Sequence, residues 1–250
     1  MLATTPLILF LLASFLGGMA TGLVGFAMGL VVAGVWLHII TPLETATLIV
    51  GCSAVTQGYS VWKLRHALSW RRLAPFIAGA VIGVPAGAAI LTTFNAINPA
   101  VLRTGVGVLL VAYSAYSLVR PDLRPVQAGV AADTGIGFFN GMLGGLTGLG
   151  GIIITIWCQL RGWPKDVQRA VFQPVTFIGA VFTVASLSTT GAVTIEVAKL
   201  YLLALPVMLA GLWFGFKLYG RLDDAAFRKA ILLLLLVSGV MLVVPTGIIR

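Results

Sequence analysis

A glycine-rich apolar segment occurs twice in this chain, and the duplication restricts the folds that the chain can adopt. GGMATGLVGFAMG at 17–29 returns as GMLGGLTGLGG at 141–151. A constant offset of 123 residues aligns Gly18 with Gly141, Gly22 with Gly145 and Gly25 with Gly148. Similar sequences predict similar local structures, so we expect two structural repeats, each interrupted by glycine at the corresponding position.

The composition indicates that both repeats lie in a membrane. Hydrophobic residues make up 59% and charged residues 9% of the 250 residues, and the mean hydropathy is +1.06. Globular domains have about 25% charged residues, so this chain has too few charged residues to form the water-exposed surface of a soluble domain. The net charge of +9 comes from bases in short loops between apolar runs. That distribution is typical of membrane topology signals and predicts no nucleic-acid partner.

Each repeat begins with an apolar block that is too long for one membrane crossing. Residues 6–40 would form a single helix of about 50 Å, and residues 126–159 one of similar length, against a hydrocarbon core of about 30 Å. We therefore expect each block to break into a hairpin, either re-entrant or fully spanning. The glycines at which the first break is expected are Gly17, Gly18, Gly22 and Gly25.

Three longer helices are predicted after each block. Thr41-Pro42-Leu43-Glu44 indicates a helix start, with Thr41 as the N-cap and Pro42 at the first helical position. The predicted helices are 43–63, 71–94 and 99–119 in the first repeat, and 165–188, 195–219 and 224–245 in the second. The predicted fold is an all-α integral membrane protein of eight to ten membrane segments, with a first repeat at 1–120, a cytoplasmic linker at 121–125 and a second repeat at 126–250.

The basic residues predict the orientation of the repeats. If each long block crosses the membrane an even number of times, thirteen bases share one side and only Arg103, Lys199 and Arg250 face the other. Single crossings would divide the bases seven against nine. The positive-inside rule favours the first arrangement. Each repeat then has an odd number of crossings, so the two repeats are inverted and both termini lie outside.

The glycine segments GLVGFAMGL from Gly22 and GMLGGLTGLGG from Gly141, together with the similar segments around Arg103 and Arg228, resemble the TauE/SafE sulfite exporter family. The resemblance covers nearly the whole chain. It implies a multi-pass anion transporter of the bacterial inner membrane. The anions it implies are sulfite, sulfonates, thiosulfate or small carboxylate-bearing organosulfur compounds, with export as the usual direction.

An anion at membrane depth needs hydrogen-bond donors. N–H groups at the start of a half-helix supply donors and a positive dipole end, and glycine permits close approach. Inverted repeats with broken helices are typical of secondary transporters, whose substrate site lies between the repeats. The candidate binding residues are Thr21, Gly22, Gly25, Ser53, Gln57, Gly145, Thr147, Gly148, Gln173 and Thr176. Phe26-Ala27-Met28 stands where the second repeat has Leu149-Gly150-Gly151, so we expect two half-sites that are not equivalent.

Each candidate also has a purely structural interpretation. Glycines allow close helix packing, and Ser or Thr hydroxyls in membrane helices often bond to a carbonyl of their own helix. The amides of Gln57 and Gln173 are stronger candidates, because a helix backbone cannot satisfy an amide in hydrocarbon. Asn140 and Gln159 are weaker candidates. Asp133 is either functional or interfacial, since it lies in an apolar run close to the linker.

These features predict a secondary transporter, and by the resemblance an exporter, of a small sulfur-containing anion such as sulfite, a C2 sulfonate or sulfoacetate. We expect alternating access, with the substrate between the broken-helix ends. An anion channel, a carrier of a non-sulfur organic anion and a structural subunit are alternatives. We expect no enzyme, metal or cofactor, because the chain has neither G-x-S-x-G nor H-E-x-x-H. The expected partners are a small anion and the lipid bilayer, and the sequence leaves open whether the protein forms a homodimer.

Overall fold

Ten α-helices and one 3₁₀ turn make up the secondary structure of the described residues, which are 4–93, 99–119, 125–147, 150–189 and 194–243 of a computed structural model. No strand occurs in these ranges. The helices are α1 Thr4–Val24, α2 Met28–Trp36, α3 Pro42–Lys63, α4 Trp70–Thr93, α5 Pro99–Val119, α6 Val130–Thr147, α7 Ile152–Leu160, α8 Lys165–Thr189, α9 Ile195–Tyr219 and α10 Asp224–Val243.

The six long helices predicted from the sequence are confirmed, with ends that differ by at most two residues. The local signals act as expected at the start of α3. Thr41 Oγ1 accepts a hydrogen bond from Glu44 N, and Glu44 Oε2 accepts one from Thr41 N at 2.9 Å. This capping box and Pro42 at the first helical position fix where α3 begins.

Both apolar blocks are broken, but the first break lies later than most of the predicted positions. Helix α1 continues through Gly17, Gly18 and Gly22, and only Gly25 lies in the break. A glycine within a helix costs about 1 kcal/mol relative to alanine, which packing can offset. In the second block α6 spans Val130–Thr147 and α7 begins at Ile152.

The chain forms two compact units, of which the first comprises Met1–Ala67 and Gln173–Leu222. At its centre α1 packs along α9, and the contacts advance in the same direction on both helices, so the pair is parallel. A Cβ atom at any of four glycines would overlap the backbone of the other helix. These glycines are Gly18 against Met208, Gly22 against Leu212, Gly211 against Phe15 and Gly215 against Met19. Small residues at this spacing allow two membrane helices to approach closely.

The second unit comprises Leu68–Phe172 and Asp223–Arg250. Here α4 and α6 form a close parallel pair of the same kind. The glycines in this contact are Gly79, Gly83 and Gly87 of α4, and Gly137 and Gly141 of α6. In the same unit α5 packs against α10, where Gly239 faces the Gly107 carbonyl.

Each unit combines helices from both halves of the sequence. The first helix of one half packs on the fourth helix of the other, since α1 pairs with α9 and α6 pairs with α4. The boundaries of the compact units therefore differ from the predicted repeat boundaries at 1–120 and 126–250, which remain a prediction about the sequence. The matching order of helix lengths and the matching pairing support a duplication.

Three helical segments of the described chain are long and apolar enough to cross a membrane, judged by length and composition alone. They are Thr4–Val24, Lys165–Ala185 and Ile195–Tyr219. The predicted total of eight to ten membrane segments remains a prediction. Helices α2 and α7, with nine residues each, have a length of about 14 Å and are too short to cross a core of about 30 Å.

Candidate functional site

The first break lies at the tip of a hairpin formed by α1 and α2. Helix α2 returns along α1, because Gly17 lies against Val32 and Trp36 lies beside Phe10. Trp36 Nε1 donates to the Phe10 carbonyl at 3.3 Å, and the two rings stack with centroids 4.8 Å apart. These contacts hold the short arm on the long one and so position the start of α2.

A glutamine from α3 lies against this break. Gly25 has a φ of 106°, a left-handed conformation that favours glycine. Gln57 Nε2 donates to the Gly25 carbonyl at 2.8 Å, and Gln57 is only 5% exposed. Gln57 Oε1 has no hydrogen-bond partner within the described part of the chain. Helix α2 begins after Ala27 without a side-chain cap.

The second break has a cap that the first lacks. Gly151, with a φ of 98°, precedes α7. Asn140 Oδ1 accepts hydrogen bonds from Gly151 N at 3.0 Å and from Ile154 N at 3.4 Å, and Asn140 is 3% exposed. At the repeat offset Asn140 aligns with Gly17, which has no side chain to offer. The two breaks therefore differ in how many helix-start N–H groups are already bonded.

The opposite end of each hairpin is closed by a tryptophan. In the second hairpin Trp157 Nε1 donates to Asp133 Oδ1 at 2.8 Å, and Asp133 also pairs with Arg161 at 3.7 Å. At the repeat offset Asp133 aligns with Phe10, whose carbonyl accepts from Trp36. Asp133 thus has a structural role at the base of the hairpin, which accounts for a carboxylate in an apolar run.

The remaining candidates of the first repeat lie on α1 and α3. Thr21 is buried and donates to the Gly17 carbonyl of its own helix at 2.9 Å. Gly22 lies in the α1–α9 contact, so packing explains its lack of a side chain. Ser53 is half-buried on α3, one turn before Gln57. Of the predicted residues, the structure brings Gln57 and Gly25 into direct contact.

The candidates of the second repeat are more scattered. Gln173 is buried on α8, and Thr176 donates to the Gln173 carbonyl at 2.9 Å. Gly145 and Thr147 lie in the last turn of α6, with Thr147 as its final residue. Gly148 lies outside the described residues. Binding by any of these residues remains a prediction.

Two buried polar residues were given little or no weight by the sequence patterns. Arg169 is one of the thirteen bases that the predicted topology places on one side of the membrane, but it lies in the second turn of α8 and is fully buried. The predicted start of that helix at 165 already placed Arg169 inside it. Gln159 of α7 is 4% exposed, and neither polar atom of its amide has a partner among the described residues.

The described residues offer little for metal or thiol chemistry. They contain no group of three His, Cys, Asp or Glu side chains that could hold a metal ion. Cys52 and Cys158 are buried, free thiols. The distinctive chemistry of the described chain is instead that of hydrogen-bonding groups at two helix starts.

Comparison with known proteins identifies one family. The family model described as Sulfite exporter TauE/SafE matches residues 10–242. No curated protein and no solved structure shows a significant match to the chain.

Proposed function

Because the chain belongs to the TauE/SafE sulfite exporter family, we propose that it is a secondary transporter that exports a small sulfur-containing anion. Sulfite, a C2 sulfonate and sulfoacetate are the substrates that we consider first. The family and the apolar helices indicate a membrane protein that transports an anion. The choice of substrate and the mechanism are our proposal.

The observation that carries the proposal is the first break. Helix α2 is too short to cross a bilayer, and it starts at Met28, three residues after the left-handed Gly25, without a side-chain cap. The first N–H groups of a helix have no intrahelical acceptor and lie at the positive end of its dipole. Such a helix start binds oxyanions without a full positive charge, which also permits their release.

The helix pairing supports an inverted arrangement of the repeats. Helix α1 is parallel to α9, which ends beside Lys217 and Arg221, so α1 runs towards a basic end. Helix α6 is parallel to α4, which begins beside Arg71 and Arg72, so α6 runs away from a basic end. If both basic ends face the cytoplasm, α1 and α6 cross in opposite directions. We propose that this inversion underlies alternating access and leaves both termini outside.

The proposal is tested by ligand binding to the purified full-length chain in mild detergent. We would measure thermal stabilisation by sulfite, sulfate, thiosulfate, taurine, sulfoacetate, acetate and chloride. A ligand that binds only the folded protein stabilises it and so raises its melting temperature. At a free ligand concentration of one hundred times Kd, the stabilisation is about 2.7 kcal/mol. We expect a selective shift with a sulfur oxyanion or sulfonate, followed by counterflow of that anion in proteoliposomes.

Two glycine variants localise the effect. Gly25→Ala and Gly162→Ala both place a methyl group on a positive-φ residue, but Gly162 follows α7 and lies outside the breaks. We expect Gly25→Ala to weaken the ligand-induced shift and Gly162→Ala to leave it intact. Absence of any shift in the folded wild-type protein would refute the sulfur-anion assignment. Single-channel conductance would instead indicate an anion channel.

A further inference from the structure

The amide of Gln57 has only one orientation that satisfies its surroundings. The Gly25 carbonyl can only accept a hydrogen bond, so the Gln57 group that faces it at 2.8 Å must be the NH₂ donor. Oε1 is therefore fixed as an acceptor beside the break. It is buried and has no donor partner among the described residues. Buried acceptors are nearly always satisfied in native proteins, so this oxygen requires an explanation.

The start of α2 provides the complementary groups. Its first N–H groups have no intrahelical acceptor, its N-cap Ala27 provides no side-chain cap, and α2 begins at Met28, three residues after Gly25. The first break thus presents donors together with one unsatisfied acceptor. A simple deprotonated oxyanion could bond to the donors, but it would leave Oε1 facing further negative charge.

Resting on the proposed transport function, we infer that the first break selects an anion that carries its own hydrogen-bond donor. The oxyanion group would accept from the N–H groups of α2, and its donor would bond to Gln57 Oε1. The matching chemical class is a protonated oxyanion, or a short alkyl sulfonate with a hydroxyl or ammonium group. At the second break Asn140 already accepts from Gly151 N and Ile154 N, so that helix start has fewer donors to offer.

The test compares two ligands that differ in a single hydroxyl group. The Kd values of 2-hydroxyethanesulfonate and ethanesulfonate are measured by calorimetry on the full-length protein in detergent. We expect the hydroxyl compound to bind roughly tenfold more tightly, the scale of one net hydrogen bond to a buried acceptor. In Gln57→Met this advantage should fall below about twofold, because the acceptor has been removed.

Gln168 provides a matched control. Its Nε2 donates to the Trp163 carbonyl at 2.7 Å, its Oε1 has no partner in the described ranges, and it is 5% exposed. Gln168 lies in the first turn of α8, away from either break in the sequence. Gln168→Met should keep the full preference for the hydroxyl compound. Loss of the preference in both variants would overturn the assignment to Gln57.

The remaining outcomes separate the inference from the proposed function. Equal affinities of wild-type protein for the two sulfonates would overturn the inference alone, whereas failure to bind sulfite or either sulfonate would overturn both. The wild-type comparison decides the matter even if Gln57→Met does not fold. Measuring the Kd of sulfite across a pH series, with ethanesulfonate as a control that does not titrate, identifies the group that donates to Gln57 Oε1. Tighter sulfite binding at lower pH would assign this donor to the proton of the oxyanion.

Discussion

Replacing Asn140 by leucine should destabilise the protein by removing the cap of α7. Leucine has a similar volume but no acceptor, so the N–H groups of Gly151 and Ile154 lose the bonds of 3.0 and 3.4 Å. Loss of an N-cap costs about 0.5–2 kcal/mol, and a buried unsatisfied donor about 1–3 kcal/mol. The longer bond contributes less, so we expect a total of about 2–3 kcal/mol. For a chain of this size that corresponds to a melting temperature roughly 4–12 °C lower.

The assay is thermal unfolding of the purified variant in the same detergent as the wild-type protein. Asn140→Asp is the matched control, because its carboxylate keeps an acceptor and a negative charge is favourable at a helix start. It should recover more than half of the loss. If Asn140→Leu melts within about 1 °C of wild type, Asn140 does not hold the second break in place, and the contrast between the two breaks fails.

Two further predictions concern helix packing and orientation. Gly83→Ala puts a Cβ onto the Phe138 carbonyl of α6 and should destabilise the protein by about 1–3 kcal/mol, whereas Gly105→Ala meets no atom within 4 Å and should be neutral or stabilising. Equal melting temperatures of these two variants would contradict the packing role of Gly83. For orientation, a membrane-impermeant maleimide should label His66→Cys only from the cytoplasmic side and Thr194→Cys only from outside. The background should be low, because the native Cys52 and Cys158 are buried. The reverse pattern would contradict the predicted topology.

The helices were predictable because their ends are set by local chemistry. Thr41, Pro42 and Glu44 lie within four consecutive positions and form the capping box that the sequence predicts. The excessive length of residues 6–40 also required a break, whatever the partners of that segment. Signals of this kind need no knowledge of which helices pack together.

The pairing of helices was not predictable in the same way. The spacing of Gly18 and Gly22 predicts a close helix contact, but it does not indicate that α9 is the partner helix. The same glycines therefore looked like candidates for the break, and only the long-range contact with Met208 and Leu212 explains them. Asn140 was similarly ambiguous, because its role as a cap depends on the chain turning back after Thr147.

One aligned position accounts for much of the difference between the two breaks. Where the first repeat has Gly17, the lack of a side chain brings Val32 of α2 against α1, and α2 starts without a side-chain cap. Where the second repeat has Asn140, the side chain bonds the start of α7. The two hairpins therefore differ, because a side chain bonds N–H groups at the start of α7 whereas α2 starts without a side-chain cap. If an anion binds at these breaks, the strength and selectivity of binding should depend mainly on the first, and substitutions at Gln57 should alter selectivity more than substitutions at Asn140.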